Sequence, residues 1–323
     1  MILSIVAIVI GLALLVWSAD HFVEGASVIA RNLGVSTLII GITIIGFGTS
    51  APEILISLFS VFDNTPNLAI GNALGSNIAN IGLILGATAL VIPLTFTSKL
   101  VKREFPILLF ATALMTWVLW DTELNLIDGI LLLGFLTLAL TYLVRFSKTD
   151  KNDAISSELE QEIPQDMSTN RALVWTLVGL LVLVGSSKLL VWGAVNIATE
   201  LGVSELIIGL TIVALGTSLP ELAAAIAGAR KGEPELVMGN VIGSNLFNSL
   251  AVIGLPSVMV DFTISPTAIA RDLPVMLALT ALLYLLSQLP KDSCCIITRA
   301  KGFILLSSFV LYQTFLYYQV IAS

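Results

Sequence analysis

Two blocks of this sequence occur twice, in the same order and at the same spacing. Residues 33–53 read LGVSTLIIGITIIGFGTSAPE and residues 201–221 read LGVSELIIGLTIVALGTSLPE, identical at 15 of 21 positions. The same spacing of 168 residues pairs GNALGSNIANIGLILG (71–86) with GNVIGSNLFNSLAVIG (239–254). Such a repeat constrains the fold before any single element is assigned, because each half must build the same unit and the units must pack together.

The blocks sit in apolar sequence. Of 323 residues, 57% are hydrophobic and 11% charged, against about a quarter charged in a soluble domain. Many apolar runs reach the ~20 residues that span a bilayer as a helix. The short alternating segments of a β-barrel are missing from the sequence. The expected fold is an all-α membrane protein with ten transmembrane helices, over about 2–20, 35–62, 68–92, 103–120, 126–145, 171–190, 203–229, 235–260, 272–289 and 300–321. Residues 1–18 are apolar with no Lys or Arg before them, which favours a retained first helix over a cleaved signal peptide. A net charge of −7 without a basic patch leaves nucleic acid no footing. The bilayer is the expected surrounding, and the sequence leaves protein partners open. Cys294 and Cys295 are adjacent in a polar loop, and there is no CxxC, HExxH or glycine-rich phosphate loop, so no cofactor is expected. His21, the only histidine, lies at an expected helix end, and Asp20, Glu24, Asp128 and Glu205 are expected to be solvated near helix ends.

Each half contributes five helices, an odd number, so the second half must enter the membrane from the opposite side. The expected architecture is two inverted repeats, 1–146 and 171–323, joined by a polar linker, 147–170. Thirteen of the fifteen Lys and Arg residues fall in the loops after odd-numbered helices or in the linker; only Lys188 and Arg271 fall on the other side. The positive-inside rule then places the linker in the cytoplasm and both termini outside. Inverted repeats put a substrate site near the midplane, where broken helices of the two halves meet.

The chemistry is expected at those breaks. GTSAPE (48–53) and GTSLPE (216–221) interrupt long apolar runs. Pro52 and Pro220 each remove a backbone donor and clash with the carbonyl four residues back. Carbonyls freed around 46–49 and 214–217 must find partners at membrane depth, and a dehydrated cation supplies one. Thr49, Ser50, Thr217 and Ser218 add hydroxyl oxygens. Glu53 and Glu221 follow at once, carboxylates where ionisation costs a few kcal/mol or more. Two carboxylates with hard neutral oxygens suit Ca²⁺; no His or Cys is at hand for Zn²⁺ or Cu⁺. In the third helix of each half Asn72, Ser76 and Asn80 share one face, as do Asn240, Ser244 and Asn248. Ser76, Asn80, Ser244 and Asn248 are expected to face the ion. For Asn72, Asn77, Asn240 and Asn245, ion contact and helix packing remain open. Gly71, Gly75, Gly239 and Gly243 are expected to let these helices pack closely against the broken ones.

The paired G-T-S-x-P-E and G-N-x-x-G-S-N-x-x-N blocks resemble the α-repeats of the sodium/calcium exchanger family, within the cation/calcium exchanger superfamily. The likeness extends over essentially the whole chain, and in length and short central loop it is similar to bacterial inner-membrane members. The resemblance implies a multi-pass antiporter of the inner membrane that carries Na⁺ and Ca²⁺ by alternating access. It implies that Glu53 and Glu221 bind Ca²⁺ and share in Na⁺ binding, with backbone carbonyls from Thr49 and Thr217. Ser50 and Ser218 would line the site, and Ser76 and Ser244 would serve flanking Na⁺ positions. Asn80 and Asn248 would face the central position, and the carbonyls of Gly46 and Ala214 would complete the flanking sites. Some relatives carry aspartate at one or both of the positions of Asn80 and Asn248. The amides here remove a titratable group and disfavour the potassium-dependent branch.

Two ionised glutamates are balanced by one Ca²⁺ or two Na⁺; a further Na⁺ would make exchange electrogenic. The nearest rival is a proton/calcium exchanger. Relatives of that kind place an acid just after the Gly-Asn of the third helix, where this chain has Ala73 and Val241. A cation channel is a rival of another class, which the inverted repeat opposes, and an intramembrane enzyme is a third, which the proline-preceded glutamates and polar third helices oppose.

Overall fold

The computed structural model describes residues 1–62, 66–147, 167–201, 214–264, 266, 268–288 and 294–322. Helix α1 (Ile2–Leu33) leads into a broken segment made of α2 (Thr37–Ile40), a π-helical turn (Gly41–Ile45), α3 (Gly46–Thr49) and α4 (Ala51–Phe62). Helix α5 (Pro66–Ala79) runs through a π-helical turn (Asn80–Leu85) into α6 (Gly86–Val91) and strand β1 (Leu94–Thr97). Helix α7 (Ser98–Leu119), strand β2 (Glu123–Leu124) and α8 (Leu126–Ser147) complete the first half. The second half follows with α9 (Thr169–Glu200), α10 (Ala214–Thr217), α11 (Leu219–Arg230) and α12 (Pro234–Phe247). A π-helical turn (Asn248–Val252), α13 (Ile253–Met259) and strand β3 (Phe262–Thr263) come next. The chain ends with a π-helical turn (Ala268–Asp272), α14 (Leu273–Ser287), strand β4 (Cys294–Ile297) and α15 (Arg299–Ala322). Several elements recur at the sequence spacing: α11 is α4 displaced by 168 residues, and α12 is α5 displaced by 168.

Among the described residues six helices are long and apolar enough to cross a membrane, or seven if Leu38–Thr49 and Ala51–Phe62, which meet at 44°, form one span. The chain is a multi-pass membrane protein. Helices α7 and α15 also form where spans are expected, and the first part of the seventh expected span, through residue 213, lies outside the described residues.

The ends of some elements differ from the sequence expectation. Helix α1 runs to Leu33, because Phe22, Val23, Ala26, Val28 and Ile29 are all buried and extend its packed face. It stops at Gly34, in the left-handed region (φ 64°), whose N–H caps the carbonyls of Ala30 and Arg31. Asp20, His21 and Glu24 therefore lie inside a helix. Glu24 Oε2 meets Lys231 Nζ at 3.4 Å, and the His21 ring lies 4.4 Å from Trp17 and 4.6 Å from Trp175. Helix α9 likewise continues to Glu200, which puts Lys188 inside a helix and not in a loop. Asp128 does lie at a helix start, where Oδ2 accepts the Asn125 N–H at 3.0 Å; Glu205 lies outside the described residues. Cys294 and Cys295 fall in strand β4, opposite Thr97 and Phe96.

The closest packing joins one half to the other. Helices α1 and α9 run antiparallel: the amino terminus meets Glu200 Oε1 at 2.7 Å, Gly11 lies beside Leu190, and Gly25 lies beside Ala172 and Thr176. Helix α12 lies backbone to backbone on the first broken segment. A Cβ on Gly239 would stand 2.3 Å from the Leu38 carbonyl oxygen, and one on Gly243 2.4 Å from that of Ile42. Only glycine permits this approach. Both glycines thus do what the sequence suggests; the corresponding partner segment for Gly71 and Gly75, 202–213, lies outside the described residues. The last helix of each half rests on the third helix of the other, α8 on α13 at Gly129 and Gly254, and α15 on α6 at Gly302 and Gly86. The strands cross in the same sense: β1 pairs with β4 and β2 with β3, both antiparallel. The larger apolar cluster spans both halves, with Ile42, Leu74 and Leu85 packed with Val241, Leu246 and Ile253; a second joins Phe22 and Val23 of α1 to Leu183 and Leu236.

Candidate functional site

Both broken helices part at a serine. Ser50 (φ −82°, ψ 2°) and Ser218 (φ −90°, ψ 4°) sit in the bridge region between helix and strand. The prolines expected to cause the break stand two residues later, each second in the helix that restarts, Pro52 in α4 and Pro220 in α11. A missing N–H costs nothing there, since the first turn has no intrahelical acceptor to give it. Glu53 and Glu221 fall in the first turn of these new helices, where the helix dipole favours a carboxylate.

The fold draws the two turns together. Glu53 is 1% exposed and Glu221 2%, and the Ser50 hydroxyl lies 3.5 Å from Glu221 Oε1. Helix α4 packs on the π-helical turn that begins at Asn248, and α11 packs on the one that begins at Asn80. Thr49 Oγ1 donates to the Ile45 carbonyl at 3.0 Å and lies 3.2 Å from Asn240 Oδ1 and 3.4 Å from Ser244 Oγ. Ser244 Oγ in turn lies 3.5 Å from the Gly46 carbonyl oxygen. Ser76 is buried and Thr217 half-buried; Ala214 opens α10, and its backbone lies one turn before Ser218.

The enclosed polar atoms fall into two groups. Neither Glu53 oxygen has a hydrogen-bond partner, nor do Glu221 Oε2, Ser218 Oγ, Asn80 Oδ1 or either polar atom of Asn248. Buried polar atoms are ordinarily paired, so an enclosed group of this size calls for an explanation. The other group is satisfied by the protein. The amide nitrogen of Asn72 donates to the Glu53 carbonyl at 3.2 Å, and that of Asn240 to the Glu221 carbonyl at 3.4 Å. Two carbonyls near the breaks already have protein donors: Gly46 accepts the Ser50 N–H at 3.1 Å, and Gly216 accepts the Ser187 hydroxyl at 2.8 Å. Ser57 Oγ likewise donates to the Val252 carbonyl within the π-helical turn 248–252.

Several of these contacts are not legible from the repeats. Ser187 lies outside both blocks; its only signal is a hydroxyl inside an apolar run. Asn240 bridges the two broken turns, which its periodicity on α12 does not reveal. Among the described residues no group of three or more His, Cys, Asp or Glu could hold a metal ion. The enclosed atoms are instead carboxylate, hydroxyl and amide oxygens, a donor set for hard cations.

Comparison with known proteins identifies the family. Residues 3–145 and 171–318 match the family model described as sodium/calcium exchanger protein. CaxA of Alkalimonas amylolytica is 46% identical over 318 residues, covering 98% of this chain and 99% of that protein. Inner membrane protein YrbG of Escherichia coli (strain K12) is 39% identical over 323 residues, covering 98% of both. The solved structure of the sodium-calcium exchanger NCX_Mj, soaked with 10 mM Na⁺ and zero Ca²⁺, superposes with a TM-score of 0.82 at 32% identity, covering 96% of this chain and 97% of that one.

Proposed function

Because this chain belongs to the sodium/calcium exchanger family and is a membrane antiporter, not an enzyme, we propose that it exchanges Na⁺ for Ca²⁺ at a midplane site built on Glu53 and Glu221. The observation that carries this reading is the set of enclosed oxygens without partners: both from Glu53 and one each from Glu221, Ser218, Asn80 and Asn248. A dehydrated cation is the partner that such a group lacks, and carboxylates with neutral oxygens suit Ca²⁺ and Na⁺ alike. Thr49, Ser50, Thr217, Ser76, Ser244 and the carbonyls of Gly46 and Ala214 complete the proposed ligand set.

Because both ions need the same two carboxylates, they compete. A transporter that crosses only when its site is filled gives exchange without leak. One Ca²⁺ or two Na⁺ neutralise the pair; a further Na⁺ leaves a net charge to cross, worth about 2.3 kcal/mol per 100 mV. The 168-residue repeat and the antiparallel contact of α1 with α9 support two inverted halves of five helices, 1–146 and 171–323, flanking a cytoplasmic linker, 147–170. Inverted halves supply alternating access directly, since exchanging their conformations exchanges the open side. The Lys and Arg bias supports both termini outside, and the likeness to an inner membrane protein supports that location for the ten-helix chain.

The test is ⁴⁵Ca²⁺ uptake into vesicles under an outward Na⁺ gradient, beside the same vesicles under a pH gradient alone. Uptake that follows Na⁺ is expected. Uptake driven only by the pH gradient would replace Na⁺ by H⁺ as the coupling ion.

A further inference from the structure

The two amides at the ends of the polar stripes are related by the 168-residue repeat but are held differently. Asn80 is 1% exposed and Asn248 0%. Asn80 Nδ2 donates across the halves to Asn245 Oδ1 at 3.1 Å, which leaves Asn80 Oδ1 as its unpartnered atom. The repeat predicts the matching bond from Asn248 to Asn77, the counterpart of Asn245. That bond does not form. Asn77 Nδ2 instead lies 3.0 Å from Ser249 Oγ and 3.5 Å from Met276 Sδ. A thioether only accepts, so this side of the Asn77 amide is the nitrogen. The position matching Ser249 in the first half is Ile81, and that matching Met276 is Leu108; neither side chain accepts a hydrogen bond. The sequence departs from its own repeat at the residues that draw Asn77 away, and Asn248 is left with both polar atoms unpartnered.

We infer that Asn245 is a positioning residue that fixes Asn80 as a constant carbonyl ligand, whereas Ser249 holds Asn77 aside and leaves the Asn248 amide able to turn with the ion bound. This inference rests on the ion site proposed above. A fixed carbonyl presents the same oxygen to any cation. An amide that turns presents its oxygen to a cation or its nitrogen to a carboxylate, so it can fit two ions of different charge and ligand number in one pocket. Ser249 is then a specificity-determining residue that touches no ion.

Equilibrium ⁴⁵Ca²⁺ binding to the purified protein, with Na⁺ as competitor, tests this without any transport step. Asn245→Ala should weaken Ca²⁺ and Na⁺ binding together, by about fivefold, the scale of one lost hydrogen bond. Ser249→Ala should return Asn77 to Asn248 and change the ratio of Na⁺ to Ca²⁺ affinity by at least about threefold, on the same scale. Ser249→Ile, which copies Ile81, should do the same; together the two variants keep the test open if one fails to fold. A role in packing alone would lower thermal stability and leave the affinity ratio at the wild-type value, and that result would overturn the inference. The binding assay and the uptake assay together separate the two readings. Wild-type protein that binds Ca²⁺ but fails to couple to Na⁺ sinks the proposed exchange and leaves the amide asymmetry to be judged on its own ratios. Wild-type protein that binds no Ca²⁺ sinks both.

Discussion

Ser50 of the first broken turn points its hydroxyl at Glu221 of the second, 3.5 Å from Oε1. The contact joins halves whose sequence positions are 171 apart, so the two glutamates belong to one enclosure and not to two separate half-sites. If that enclosure holds the transported ion, neutralising either carboxylate must stop transport. Glu53→Gln and Glu221→Gln should each lower Na⁺-driven ⁴⁵Ca²⁺ uptake by at least about 100-fold, because a buried cation would keep its dehydration cost and lose a charged ligand. Ser50→Ala, which removes one neutral oxygen, should cost less than about tenfold. Membrane insertion, followed by immunoblot of washed membranes, should be unchanged. Wild-type uptake by either Gln variant would count against the site.

The backbone contact of α12 with the first broken segment gives a stability prediction. Alanine at Gly239 or Gly243 must displace a carbonyl that would otherwise stand 2.3 or 2.4 Å from the new Cβ. Overpacking of this kind costs about 1–3 kcal/mol, visible as a lower midpoint in a thermal melt in detergent. Gly134→Ala is the control: nothing lies within 4 Å of its Cβ position, so its midpoint should hold or rise.

A third prediction concerns Asp272, a buried carboxylate at the start of α14. Arg271 donates to it from Nε at 2.5 Å and from a terminal nitrogen at 3.0 Å, and the Tyr312 hydroxyl donates at 2.8 Å. Removing Arg271 alone takes away the positive charge and leaves the acid only the Tyr312 hydroxyl. Arg271→Ala should destabilise by about 2–3 kcal/mol, below the range for a fully enclosed pair because Arg271 is 31% exposed. Arg271→Ala with Asp272→Ala should recover part of that loss. A double variant no more stable than the single would mean that the pair is not the source of the cost.

The proposed orientation can be read with a membrane-impermeant maleimide. In a variant with Cys294 and Cys295 replaced by serine, Asp121→Cys should label from outside in intact cells. Arg230→Cys should label only after permeabilisation. Both positions are exposed at helix ends, so access to the reagent depends on the side of the membrane alone. The opposite pattern would invert the topology.

Much of this site is legible in the sequence because the repeat writes it twice. Glu53 and Glu221 are found as carboxylates in apolar runs, and their duplication separates them from incidental acids. The break itself is read one step off. Proline marks where a helix cannot continue, but Pro52 and Pro220 start the new helices, and the backbone turns at Ser50 and Ser218. The π-helical turns leave no distinct mark in the sequence: Asn80–Leu85 holds Asn and Gly, weak helix formers, but nothing that tells a π turn from an α turn. The ends of α1 and α9 are missed for a different reason. Asp20 and Lys188 look like span boundaries in a charge count, yet the buried face of α1 continues through Ala30, and only the glycine cap at Gly34 marks its end. Asn72 and Asn240 could not be assigned from spacing, because a polar stripe looks the same whether it faces an ion or the carbonyl of a neighbouring helix.

The crossing of the two halves bears on how the protein is made. The most apolar 18-residue stretch of Pro234–Met259 is buried along its whole length. It is enclosed largely by first-half elements: the segment 37–49, α5 and α8 all pack against it or its continuation. Synthesis runs from the amino terminus, so these walls emerge long before the piece they surround. Until it arrives, those first-half surfaces lack the segment they pack against in the finished fold. A chain that stopped after the linker would be a first half whose own last helix, α8, lacks its packing partner α13.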